Sequence, residues 1–461
     1  MKNKSRRTVL GSSALACLLA MFAGRLCLPA RADVTLVENA DINVTASLEA
    51  AAGYFTTQDT NFGAGRVDVR SGQETGDAQW QEGYLKGFLN AEYALRYAGT
   101  LYGGASGVGT TTGGDGDAGG FTDSGDGDLS TDTAFLGWRS GNVFSENLGE
   151  DAVDLSYGRQ EFHVGNGFLI WDGDLDQFDK GAYWLAPRNA YERAALLRTN
   201  TMPVRADGFY LKADNDQDST QLAGLNIDYS RDDLGAFGAM YFHVLDAATP
   251  RNFGARDGMD VLDLRVIDLR PPGTTDLFLS GEYVHQGGSG KDGSFEASGW
   301  YVEMRYALSH WQWLPTLAYR FASFSGDSNP DDSDRKDFDP FFYGWGGSWG
   351  TWYQGEITGE YLLFNSNQVN HMVHLSVTPR EDLSVGALYY RFRLDKKNYF
   401  GEPVSDDDFD QEINVYVDWT INDYASVSAL YGVAFPGKAA KEVFGDNQKY
   451  QLFQVALYLA Y

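Results

Sequence analysis

From about residue 41 to the last residue, the chain repeats one texture. Roughly ten to fifteen residues alternate between apolar or aromatic and polar side chains, and a cluster of Gly, Asp, Asn and Ser follows. A period of two marks a strand whose two faces meet different surroundings, because neighbouring side chains point opposite ways. Segment 80–97 sets Leu85, Leu89, Tyr93, Leu95 and Tyr97 against Tyr84, Lys86, Asn90, Glu92 and Arg96. In 294–308, Trp300, Val302, Met304, Tyr306 and Leu308 oppose Tyr301, Glu303 and Arg305. In 311–324, Trp311, Trp313, Leu317, Tyr319 and Phe321 oppose Gln312, Thr316 and Arg320. Segment 409–420 sets Ile413, Val415, Val417 and Trp419 against Glu412, Asn414, Tyr416 and Asp418, and the chain ends Phe453, Val455, Leu457, Leu459, Tyr461.

A soluble antiparallel sandwich also alternates. Against it stand strands longer than the usual five or six residues and aromatics gathered near strand ends. Both suit a sheet crossing a bilayer, where ~10 tilted residues make one strand and aromatic girdles sit at the two interfaces. Lipid offers no partner to a free backbone donor, so such a sheet must close. The fold class expected is all-β: a transmembrane antiparallel β-barrel in a bacterial outer membrane.

The N-terminus fits that destination. "MKNKSRR", a short apolar run and Ala30-x-Ala32 have the parts of a secretory signal peptide cleaved after Ala32, leaving 33–461 as the barrel. Cys17 and Cys27 both fall in the removed part, so no disulfide, cysteine nucleophile or thiolate metal site is expected in the mature chain. Acidic residues outnumber basic ones 64 to 36, which speaks against nucleic acid as a partner.

Loop lengths give the strand count. Periplasmic turns are short and external loops long in such barrels. Short turns fall at "TINDYAS", "TPREDLS", "LSHWQ", "RPPGTT" and "SRDDLG"; long loops fall near 436–448, 397–408, 326–366, 287–294 and 247–258. The two kinds alternate only if 338–366 is one folded extracellular loop, which keeps 351–364 out of the wall despite its strand-like pattern. Its opening run "FDPFFYGWGGSWGTWYQG" is expected to be held by its own rings packing on the extracellular rim or over the mouth. Residues 178–200 supply one strand or two, and eighteen strands is the count expected, with sixteen as the alternative.

A polar bore would carry the function. Arg96, Arg305, Arg320, Arg391 and Arg393 are read on faces opposite the lipid-facing set, while Arg159, Arg193 and Arg198 are not fixed in direction. A guanidinium fork pairs two-pronged with a carboxylate, so converging arginines would attract polyanions. Equally, each could brace the wall against Glu303, Glu412 or Asp418. "GRQ" at 158–160, "WD" at 171–172, "FDPFFYG" and "WGTWYQGEITGEYLLFNSN" resemble the alginate export family of outer-membrane proteins. That resemblance implies an eighteen-stranded monomeric barrel passing an anionic uronate polysaccharide passively outward, with Arg159, Arg193, Arg305, Arg320, Arg391 and Arg393 lining the conduit. Outer-membrane lipid, lipopolysaccharide and a periplasmic polysaccharide-handling protein are the other partners it implies. The acidic run at 113–128 departs from the pattern.

Two other functions compete: a porin for small nutrients or neutral oligosaccharides, and an outer-membrane hydrolase. The hydrolase lacks support, since no G-x-S-x-G occurs in the mature chain and "GGSGK" is followed by Asp292 where a phosphate loop needs Ser or Thr. His371 and His374 stand three apart, which on a strand sends them to opposite faces. No cofactor is expected; acids from Asp214 resemble a calcium loop but lack its glycine and bidentate glutamate, leaving divalent cation binding on the acidic loops as a minor expectation.

Overall fold

The computed structural model describes residues 33–214, 219–247, 256–291, 293–329, 332–344, 346, 349–352, 354–445 and 447–461. Residues 1–32, expected to be a signal peptide, and part of the Asp214 acidic run lie outside the described residues.

The alternating segments form one closed antiparallel sheet of 18 strands. Strand Ile42–Gln58 pairs with Gln79–Leu95 on one side and with the last strand, Tyr450–Ala460, on the other, and this seam closes the barrel. A short additional strand, Val34–Glu38, runs beside residues 43–46, beyond the point where the C-terminal strand stops, so the seam's outer edge is also covered. The first described strand, Val34–Glu38, and the C-terminus lie at the end with the short connections, Arg231–Gly235, Arg380–Leu383 and Asn422–Ala425 among them.

Side-chain faces follow the expected parity. Leu85, Leu89, Tyr93, Val302, Met304, Leu317, Val415 and Leu459 are exposed on the outside, while Lys86, Tyr301, Arg320, Asn414 and Asp418 are buried within. Trp311 and Trp313 are exposed too, but they lie in the turn between Ala297–Ala307 and Thr316–Phe324, because that strand begins five residues later than its pattern reads. Of 178–200, only Tyr191–Thr201 is wall, and Val204–Lys212 follows as the next strand.

Residues 355–363 are not wall, as the turn count required; they wind into one helical segment whose every residue is buried. The position of the loop is a correction. Its rings are not left at the rim but turn into the barrel and pack on the inner wall. Phe338 lies 5.3 Å from Phe324, Trp352 lies 4.7 Å from Tyr301, and Trp349 stacks on Tyr416 at 5.3 Å. Burial explains the choice, since each large apolar side chain removed from water is worth about 1.5–3 kcal/mol and a rim offers no second surface to cover it.

Candidate functional site

Two loops fill much of the bore, 161–190 and 325–367, and they are joined. Trp171 and Asp172 donate their N–H groups to the Phe342 carbonyl at 2.8 and 3.0 Å, and Phe342 donates to Leu169 at 2.9 Å. The Trp352 indole donates to the Asn166 carbonyl at 3.1 Å. Wall side chains then fix the pair in place. Glu412 accepts the N–H groups of Ile357 and Thr358 at 3.1 and 2.9 Å, a carboxylate receiving orphan donors at a helical start. Asp418 accepts the Trp349 indole at 2.9 Å, and Gln454 donates to Glu356 at 3.2 Å.

Of the six arginines expected in the conduit, three point inward. Arg320 is 3% exposed and pins the second loop: it donates to the carbonyls of Gly350 and Thr351, lies over the Trp352 ring and sits 3.6 Å from Glu303. Arg305 contacts Asp268 at 2.6 Å and lies over Phe278. Arg159 contacts Asp214 at 2.6 Å and donates to the Asp132 carbonyl at 2.8 Å. Its inward turn comes from the glycine of "GRQ". Gly158 adopts φ 136 at a bulge in the pairing, and a Cβ there would lie 2.4 Å from the Ala134 carbonyl oxygen, so the motif has a backbone reason.

The other three face outward, against expectation. Arg193 follows the parity of exposed Leu197 and stands opposite buried Ala194's face; Arg391 and Arg393 alternate with buried Tyr390, Phe392 and Leu394. The infolded loop changes the pattern at one end of this strand. It supplies apolar contact inside the bore to Leu388, Tyr390, Phe392 and Leu394, so both faces carry apolar residues, and Arg391 and Arg393 continue the outer face of Val385, Ala387 and Tyr389, near Asp408 and Asp407. Arg96 lies in the turn after Gln79–Leu95.

An inner belt of charge was not legible from spacing. Cross-strand register places Arg139 opposite Asp154, Asp154 opposite Arg198, Arg198 opposite Asp207 and Asp207 opposite Asn226, alternating charge across adjacent strands. Arg265 extends it, donating to Asp228 at 2.6 Å and Asp263 at 2.9 Å. Opposite charges directly across a pair stabilise a sheet, which accounts for the alternation. Within the belt Arg198 is the least committed member: its guanidinium lies over Phe162 and its buried Nε has no hydrogen-bond partner. The belt's members are spread over several strands, so only the register could reveal the row.

The first loop carries a second charged cluster. Lys180 bridges Asp174 and Asp214 at 2.5 and 2.8 Å, Arg188 pairs with Asp176, and Lys86 of the wall contacts Asp132 at 2.7 Å. Burial, with neighbouring Asp174 and Asp176 adding repulsion, holds Asp172 well above the ordinary carboxyl range. Burial also raises Glu356, and pushes Glu360 up to about 8. Among the described residues no group of three or more His, Cys, Asp or Glu has the arrangement of a metal site. His371 faces out to Tyr319 and His374 faces in to Tyr416, so the two rings are on opposite sides.

A closed barrel with long loops folded into its bore is the architecture of an outer-membrane channel, and known structures share it. OccK5 (OpdH) of Pseudomonas aeruginosa aligns with a TM-score of 0.57 at 12% identity, covering 91% of this chain and 98% of that one. A BenF-like porin from Pseudomonas fluorescens Pf-5 gives 0.58 at 10% identity, with 91% and 98% covered. OccAB2 of Acinetobacter baumannii gives 0.56 at 11%, with 90% and 98% covered. At such identities the likeness is one of fold. The sequence itself is more specific: the alginate export family model matches residues 123–453, and the chain belongs to that family. No curated protein matches the chain. Family and fold together are those of an outer-membrane channel rather than an enzyme.

Proposed function

We propose that this channel passes an anionic, uronate-type saccharide passively outward across the outer membrane. One observation supports the reading most directly, the inner belt in which Arg139 and Arg198, joined by Arg205 at 3.1 Å from belt residue Asp207, stand on the wall facing the bore among acids that hold their orientation. Belonging to the alginate export family is consistent with that cargo. Arg159, Arg305 and Arg320 act as braces of the wall and loops first, and their part in the conduit is to position what the saccharide meets. A periplasmic polysaccharide-handling protein would deliver the chain to the end with the short connections.

A second reading, a porin for small neutral oligosaccharides, is favoured by the space between the infolded loops, which is lined by aromatic rings and carboxyl groups more than by cations. Planar-bilayer recording separates the two. Purified barrel is expected to conduct with anion preference and to be blocked by mannuronate or guluronate oligomers. Block by neutral oligosaccharides alone, with no anion preference, would overturn the uronate reading in favour of the porin.

A further inference from the structure

Between the two infolded loops and the wall strands Ile42–Gln58, Gln79–Leu95 and Tyr450–Ala460 lies a cavity of about 450 Å³, within the usual size for a small-ligand site. Its charges decide what class of molecule fits. A carboxylate guest needs an uncommitted cation, and the lysine at this cavity, Lys86, is already engaged by Asp132 and by the Pro187 carbonyl, both at 2.7 Å. Acids surround it instead. Burial raises the carboxyl groups of Asp172 and Glu356 well above their ordinary range and that of Glu360 to about 8, which favours the protonated forms that donate hydrogen bonds as well as accept them. Burial, helped by Arg198, lowers His163 to about 4, and it is neutral too.

The remaining lining is aromatic, with polar edges left open. The hydroxyl groups of Tyr84 and Tyr458 and the indole N–H of Trp184 have no hydrogen-bond partner among the described residues, and neither has the buried Nε2 of His163. An apolar guest would strand all four groups, each at the cost of an unmet buried donor or acceptor. A net anion would face carboxyl groups, and the one Lys or Arg lining the cavity among the described residues, Lys86, is already engaged. A neutral polyhydroxylated ring meets both conditions: its C–H faces lie on aromatic rings and its hydroxyl edges reach the open donors and acceptors.

We propose that this cavity is a binding site for a neutral saccharide, a mono- or disaccharide of pyranose rings, held by the faces and polar edges of Tyr84, Trp184 and Tyr458 and by the carboxyl groups of Glu356 and Glu360. The site rests on the barrel's being a channel with these loops in its bore, and it is separate from the uronate cargo.

The test uses the full mature barrel in detergent, titrated with cellobiose, maltose and dimannuronate, with tryptophan fluorescence and calorimetry as readouts. At least one neutral disaccharide is expected to bind saturably and at least tenfold more tightly than dimannuronate. Tyr84→Phe keeps the ring and loses one hydroxyl, and should weaken that binding about tenfold; the outward Arg391→Met should leave it unchanged. Heat-modified mobility on gels confirms that each variant is closed. Tighter binding of dimannuronate than of both neutral sugars overturns the site, as does neutral-sugar binding unaffected by both Tyr84→Phe and Trp184→Phe. A barrel that conducts yet binds neither neutral sugar sinks the site and leaves the channel. Neutral-sugar binding in a barrel that uronates fail to block supports the site and sinks the uronate cargo.

Discussion

Asn414 and Val415 are neighbours with opposite tasks, one 1% exposed against the inner wall and the other 47% exposed to lipid near the middle of its strand. An arginine at 415 would sit close to the bilayer midplane, and Val415→Arg is expected to destabilise the barrel by about 2–4 kcal/mol in urea titrations of lipid-refolded protein. The same parity sorts the arginines. Arg198→Met and Arg205→Met should reduce anion preference in reversal-potential measurements, while Arg391→Met and Arg393→Met, on the outer face, should not change it. Equal loss from both pairs would mean that selectivity comes from overall charge and not from the inner belt.

At the scale of an element, the infolded segment 349–363 is held by a few wall groups that have no substitute. Arg320→Ala removes a charged donor from the carbonyls of Gly350 and Thr351, loosening the loop by about 1.5–3 kcal/mol, and single-channel conductance should rise and become noisier. Acidity acts on the same loop. Glu360 is an acid raised by burial to about 8, so the folded loop binds its proton more tightly than the free chain does. The packed arrangement is therefore most stable below the ordinary glutamate range, weakens as pH rises through it, and stops weakening above about 8. Recordings from pH 5 to pH 9 should show the loop leaving more often across that window, and Glu360→Gln should flatten the response.

For the whole molecule, closure is the condition on which everything else depends. Strand Tyr450–Ala460 gives its hydrogen bonds to neighbours on both sides. Val455→Pro deletes one donor and forces a kink in a strand with no free edge; in lipid each unmet group costs several kcal/mol. This variant should fail to reach the heat-modifiable form on gels, whereas a proline in the exposed turn at Asp423 should be tolerated.

How much of this was legible in the sequence follows from what is local and what is not. The lipid face of nearly every strand, the alternation of short turns with long loops and the exclusion of 351–364 from the wall follow from period-two patterning and loop length, which depend only on near neighbours in the chain. The inward descent of 338–366 did not follow, because a run of aromatic rings signals burial without saying against what. Once that loop occupies the bore, it gives Leu388, Tyr390, Phe392 and Leu394 an apolar surface inside and leaves Arg391 and Arg393 on the outer face, an arrangement no pattern within those residues announces. The belt joining Arg139, Asp154, Arg198 and Asp207 likewise depends on register between strands far apart in sequence. The sequence by itself determined a closed, membrane-spanning wall, since lipid on one side and polarity on the other act on each strand separately. Only the tertiary structure decided what fills the bore, because that depends on which distant surfaces meet inside it.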